Sequence, residues 1–303
     1  MKKGILALSD LSKENFEELF KRAIELKERR KKGITENILA GKTAGLLFDK
    51  PSTRTRISFE AAMAQLGGTA VFISAKDTQM TRGEPVRDVA RVFSGYLDAL
   101  VIRTYAQSLL EEFAEFSDIP VINALTDLYH PCQVLSDLMT VIEYKSGYND
   151  LKIVWLGDGN NVANSWINAA AVLGINLVLA CPEGYFPDKN IMEKALEKQC
   201  GQITITPNAS EAVKDADVIY TDVWVSMGDK EGEAKKQVFA PFQVNSELLA
   251  KASKDVIVMH CLPAHRGEEI TEEVLEGSRS VVWSQAENKL HMHKAVLEVL
   301  ISR

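Results

Sequence analysis

The feature that most constrains this chain is an alternation that begins near residue 43 and holds to the last strand candidate. Short runs rich in Val, Ile and Leu are separated by longer stretches with helical spacing. They are "TAGLLF" (43–48), "TAVFIS" (69–74), "ALVIRT" (99–104), "PVINAL" (120–125), "LKIVWLGD" (151–158), "INLVLAC" (175–181), "QITITP" (202–207), "DVIYTDVWV" (217–225), "DVIVMHCLP" (255–263) and "SVVW" (280–283). Strands this apolar read as buried on both faces, as in parallel sheets covered by helices. Ten candidates are too many for a plain (β/α)₈ barrel, and "KSGYND" (145–150) offers a hinge. The expected fold is therefore α/β, with two doubly wound parallel-sheet domains. The final helical stretch, "AENKLHMHKAVLEVLIS", is expected to pack back on the first domain.

Ahead of the alternation, Ser12 is placed to cap a helix whose Phe16, Leu19, Phe20, Ala23 and Ile24 share one face. The basic run "KERRKK" suits the end of that helix, before Gly33. Charge narrows the partners. The 303 residues carry a formal net charge of −7, which argues against nucleic acid or an anionic membrane surface. No stretch has the length and apolarity of a membrane span or a secretory leader. Four cysteines without a CxxC pair fit a reduced compartment. A cytoplasmic protein is the expectation.

The ends of the strands carry the chemistry. After "LLF", the stretch "DKPSTRTR" places Pro51 at a helix start, with Ser52, Thr53, Arg54 and Thr55 in its first turn. Free backbone N–H groups, hydroxyls and a guanidinium there suit a phosphate-sized anion, although a plain polar cap would read the same way. Arg103 closes a strand. "YHPCQ" (129–133) leads into a helix with His130 and Gln133, and "MHCLPAHRG" (259–267) follows a strand with His260, Cys261 and His265. The last cluster invites a zinc reading, but no second Cys/His cluster stands at ligand spacing. "LGDGNNVANS" (156–165) has two of the three glycines of a dinucleotide fingerprint, with Val162 in place of the third. "TDVWVSMGDKEGEAKKQ" (221–237) runs into a long polar loop.

Taken together, "STRTR" (52–56), "HPCQ" (130–133), "DVWVSMG" (222–228) and "HCLP" (260–263) resemble the motifs of the carbamoyltransferases, and of their ornithine branch in particular. The resemblance runs from the first helix to the last. It implies a carbamoyl phosphate-binding domain over residues 1–147, an ornithine-binding domain over 148–285, and a C-terminal helix over 286–303 returning to the first domain. It also implies a homo-oligomer built from trimers, and carbamoyl phosphate and L-ornithine as substrates, with no metal or organic cofactor.

Residue by residue, the resemblance gives Ser52, Thr53, Arg54 and Thr55 to the phosphate. It gives Arg103, His130 and Gln133 to the carbamoyl group, and Gln79 to a neighbouring subunit's site. Asn161, Asp222, Ser226 and Met227 would hold the α-groups of ornithine, with Cys261 and Leu262 beside the reacting centre. Lys289 stands where the family pattern has an arginine on carbamoyl phosphate; it keeps the charge without the bidentate fork. Thr81 and Asn164 also depart from the pattern, standing in place of a usual glycine and a common histidine. Three rivals remain: a transferase acting on another amine such as putrescine, an NAD-dependent oxidoreductase using "GDGNN", and an anion-binding protein without chemistry.

Overall fold

The computed structural model describes residues 4–198, 200–225 and 232–302. Its strands are β1 (Gly4–Ile5), β2 (Thr43–Phe48), β3 (Thr69–Ser74), β4 (Ala99–Arg103), β5 (Val121–Leu125), β6 (Lys152–Leu156), β7 (Asn176–Ala180), β8 (Ile203–Thr206), β9 (Val218–Thr221) and β10 (Ile257–His260). They form two five-stranded sheets, ordered β1-β5-β4-β2-β3 and β10-β9-β6-β7-β8, and every pairing is parallel.

The intervening helices are α1 (Lys13–Lys31), α2 (Arg54–Gln65), α3 (Val86–Ser94), α4 (Gln107–Phe116), α5 (Pro131–Lys145) and α6 (Asn161–Leu173). They continue with α7 (Lys189–Glu197), α8 (Ala209–Ala212), α9 (Gly232–Phe239), α10 (Ser246–Leu249), α11 (Glu272–Leu275) and α12 (Val282–Ile301). Ser12 caps α1, accepting from the Asn15 backbone N–H. Among the described residues no helix is long and apolar enough to cross a membrane.

The chain divides into two compact units, Met1–Met139 with Glu287–Arg303, and Thr140–Ala286. The first core packs Leu47, Leu100, Ile102 and Val121 of its sheet against Val89, Leu110 and Phe113 of α3 and α4. The second packs Val154, Leu156, Ile219 and Val258 against α8, α10 and α11, and includes Val282.

Each sheet is doubly wound about a switch point. In the first, β3 lies on one side of β2 and β4 on the other; in the second, β7 lies on one side of β6 and β9 on the other. Chains leaving adjacent strands in opposite directions open a crevice at the strands' carboxyl ends, which is where open α/β sheets bind ligands.

Four local expectations need correction. "SVVW" is no strand: Ser280 makes one parallel bridge to Val258, and Val282 already begins α12, fully buried in the second core. The tenth strand is instead β1, too short to show a period. β9 stops at Thr221, because Asp222 turns out of the ladder. Helix α2 begins at Arg54, with Thr53 as its N-cap, so Pro51 and Ser52 precede it. Nor is β3 buried on both faces: it is an edge strand, and Val71 and Phe72 are exposed.

Candidate active site

The first half-site gathers at the switch point of the first sheet. Strand pairing sets Phe48, the last residue of β2, opposite Arg103, the last residue of β4. The register between β4 and β5 slips between Ile102 and Arg103, and such an irregularity re-aims the side chain that follows it. The result is a guanidinium whose Nε is buried and has no hydrogen-bond partner among the described residues. Burial, and then the charge of Arg54, pulls Arg103 down to about 10, so it is still a cation at neutral pH. An orphaned donor beside a second guanidinium is costly unless an anion or a polarised oxygen joins it.

That second guanidinium stands on the first turn of α2. Its N-cap, Thr53, makes no side-chain capping hydrogen bond, and the first N–H groups of a helix lack intrahelical acceptors by construction. Thr55 is buried, whereas Ser52 is half-buried and Thr53 and Arg54 are exposed. The loop before α2 is tied down by Lys50, which pairs with Asp127 and lies 4.1 Å from the centre of the Tyr105 ring. Asp127 belongs to the turn leading into "HPCQ", so one lysine ties the two anion-facing loops together.

His130 is buried just before α5. Burial, reinforced by the charges of Lys289 and Arg103 and by His293, pushes its imidazole well below the ordinary value. It is neutral at pH 7, so it can donate a hydrogen bond from one ring nitrogen without carrying a charge. Gln133, one turn on, donates from Nε2 to Asp137 Oδ1 at 2.8 Å, and Lys289 Nζ donates to Gln133 Oε1 at 2.8 Å. The structure therefore brings Arg54, Arg103, His130, Gln133 and Lys289 into one neighbourhood. Gln79 stands apart from it, exposed on a 3₁₀ turn (Gln79–Arg82) that follows the edge strand.

The second half-site gathers at the switch point of the second sheet. Thr221 is paired with Leu156 on one side and His260 on the other. Asp222 and Cys261 each come one residue later and so emerge side by side, and the Cys261 thiol donates to Asp222 Oδ1 at 2.8 Å. Asp222 also accepts from Asn160 Nδ2 at 2.9 Å and from the Val223 N–H at 2.8 Å. Asn160 caps α6 through its oxygen, which accepts from the Val162 and Ala163 N–H groups. Asn161, the expected ligand, follows it as the first residue of α6.

"HCLP" takes its shape from His260. The ring's Nε2 pairs with Glu269 Oε1 at 2.9 Å, and its Nδ1 accepts from the Leu262 N–H at 2.8 Å. That bond holds Leu262 at φ 57°, a left-handed conformation that a leucine adopts only under constraint. Both ring nitrogens are thus engaged in shaping the loop. Ser226 and Met227 lie outside the described residues.

Sequence reasoning passed over Asn160, Asp137 and Lys235. Asn160 had the N-cap pattern as its signal, and Asp137 the i, i+4 spacing from Gln133. Buried Lys235 of α9 donates to Asp158 Oδ2 at 2.7 Å, a pairing of distant segments that no local pattern carries.

Comparison with known proteins places these half-sites in a family. Residues 3–143 match the aspartate/ornithine carbamoyltransferase carbamoyl-P binding domain, and residues 149–300 match the Asp/Orn binding domain of the same family. The chain is 57% identical over 293 residues to the ornithine carbamoyltransferase of Desulfotalea psychrophila, covering 96% of this chain and 97% of that one. It is 56% identical to that of Syntrophus aciditrophicus, covering 99% and 100%. Among solved structures, ornithine carbamoyltransferase from Pyrococcus furiosus superposes with a TM-score of 0.95 at 46% identity, covering 99% of this chain and 97% of that one. On these matches, spanning both units, the chain belongs to the aspartate/ornithine carbamoyltransferase family.

Proposed function

We propose that this protein transfers the carbamoyl group of carbamoyl phosphate to the δ-amine of L-ornithine, giving L-citrulline and phosphate. The observation that carries the reading is the Arg103 guanidinium, with its buried, unpartnered Nε beside Arg54 and the neutral His130. Carbamoyl transfer needs that chemistry. Negative charge grows on the carbonyl oxygen as the amine attacks, and Arg103 and His130 donate to it. Ser52, Thr53, Arg54 and Thr55, with the start of α2, neutralise the departing phosphate. Asn161 and Asp222 bind the α-groups of ornithine.

The attacking amine resembles that of lysine, with an ordinary pKa near ~10, so the site must favour its deprotonated form. Cys261, held as a donor to Asp222, orients the amine; no covalent intermediate on sulfur is required. The same reading gives a homotrimer in which Gln79, exposed beside the edge strand, serves a neighbouring subunit. It assigns carbamoyl phosphate binding to the first unit and ornithine binding to the second.

The test is citrulline formation compared with carbamoyl transfer to putrescine and to aspartate. Ornithine should be the productive acceptor. Equal turnover of putrescine would remove the role given to the α-group ligands, and no transfer to any amine would leave only an anion-binding protein.

A further inference from the structure

The amide of Gln133 is clamped between opposite charges. Asp137 of α5 accepts from its Nε2, and Lys289 of α12 donates to its Oε1. All three side chains are buried, at 3%, 0% and 5% exposure respectively. A glutamine amide can reverse by a half-turn about its last torsion, and nothing intrinsic selects one direction. Here reversal would set NH₂ against an ammonium and oxygen against a carboxylate, two repulsive contacts in a buried place. The neighbouring charges therefore decide the direction. Among the described residues these are the amide's two side-chain partners, so Oε1 keeps a lone pair and Nε2 a proton. Lys289 is also near enough to His130 and His293 for its charge to depress both imidazoles, which puts its ammonium among the groups of the first half-site.

We propose that Lys289 and Asp137 are positioning residues that fix Gln133 as a hydrogen-bond acceptor, and that this makes the site select a carbamoyl NH₂ over a methyl group of the same size. The proposal rests on the reading of this half-site as the carbamoyl phosphate site. A carbamoyl group presents one acceptor, its oxygen, and one donor, its NH₂. Arg103 and His130 answer the oxygen. The NH₂ needs an acceptor, and an amide free to reverse would offer it a second NH₂ as readily as an oxygen. Acetyl phosphate, otherwise close in shape, has nothing to donate. On this account the lysine acts through Gln133, and the family's arginine is replaced by a residue with a different task.

Phosphonoacetamide and acetonylphosphonate test this directly. They are stable, share the carbonyl and the phosphonate, and differ only in NH₂ against CH₃. Calorimetric titration of the full-length protein should show the amide bound about tenfold more tightly, the effect of one buried hydrogen bond. Lys289→Met should cut that preference to about threefold or less, and Lys289→Arg, which still donates, should keep most of it. Asp137→Asn, with the lysine in place, should also lower the ratio. In Gln133→Ala the preference should vanish, and adding Lys289→Met should leave the ratio unchanged, since one contact is then tested twice. General damage to the fold weakens both ligands alike and does not move the ratio.

An unchanged ratio in Lys289→Met, whatever the loss common to both phosphonates, would mean that the lysine does not set the direction of the amide and would overturn the proposal. So would a change in the ratio on adding Lys289→Met to Gln133→Ala. Equal wild-type affinities would overturn it while the anion site stands. Binding of neither phosphonate would overturn the site reading as well.

Discussion

Arg56 lies with its guanidinium 3.5 Å from the centre of the Phe72 ring and donates from Nε to Glu60 at 2.9 Å, so its charge is engaged within the first unit. Arg54, two residues earlier, keeps its charge close enough to Arg103 to lower that residue's pKa. Arg54→Ala should therefore remove a charge-assisted phosphate contact worth about 1.5–3 kcal/mol. Steady-state kinetics should show a higher KM for carbamoyl phosphate and a lower kcat, with an unchanged melting temperature. Wild-type turnover in a folded variant would exclude Arg54 from the anion site. In the second unit Asn160 is the informative residue, because it caps α6 and holds the Asp222 carboxylate at the same time. Loss of the cap and of that hydrogen bond in Asn160→Ala should raise KM for ornithine by about 3–10-fold while KM for carbamoyl phosphate stays put. A shift in both constants together would point to general damage instead.

Among the elements, the loops after β6 and β7 show how backbone shape precedes chemistry. A Cβ on Gly159 would sit 2.2 Å from the Pro187 nitrogen and 2.4 Å from the Phe186 carbonyl carbon, so two backbone segments pass there with no room for a side chain. Gly159 of "GDGNN" thus serves a chain crossing immediately before Asn160 and Asn161. Gly159→Ala should destabilise the protein by about 1–3 kcal/mol and weaken ornithine binding, read by urea unfolding and KM; a neutral effect would mean that the loop gives way freely. Strand positions were legible because parallel strands are written as unbroken apolar runs: buried β2 matches its segment to the residue, and so does β3, although as an edge strand it is largely exposed. "SVVW" misled because a β-branched run also suits the buried first turn of a helix. Of the site, single motif residues such as Arg103 and Cys261 were visible. The Lys289–Gln133–Asp137 clamp was not, since it joins helices more than a hundred residues apart in sequence.

For the molecule as a whole, the buried histidines set a dependence on acidity. His130 and His293 are both held well below the ordinary imidazole value, chiefly by burial and then by the charge of Lys289. In the unfolded chain each takes up a proton as pH falls through about 6.5, while in the folded protein it does so only at lower pH. The unfolded state then binds more protons, so stability is full above about pH 6.5 and is lost as pH falls from there toward the folded values. Each histidine contributes at most about 1.4 kcal/mol per pH unit to that loss. His293→Gln can keep the hydrogen bond to Ser58, now made through Nδ1 at 2.9 Å. Urea unfolding between about pH 7.5 and about 5.5 should show a shallower fall in this variant than in the wild type. Parallel curves would mean that His293 is already charged in the folded protein.

The division of the chain also orders its manufacture. The first unit takes Met1–Met139 from the start of the sequence and Glu287–Arg303 from its far end, with the whole of the second unit between them. Nascent proteins generally mature from the N-terminus onward, but here the order is inverted. A ribosome that has just finished the second unit carries a contiguous body able to close on itself, tethered to an earlier one that still lacks the rest of α12, from Glu287 on. Until the last stretch emerges, Gln133 waits without Lys289, and Phe59 without the His293 ring that stacks on it at 3.7 Å. The half-site for the anion is started before the second unit and completed after it, so the protein should become competent to bind carbamoyl phosphate only after translation has passed α12.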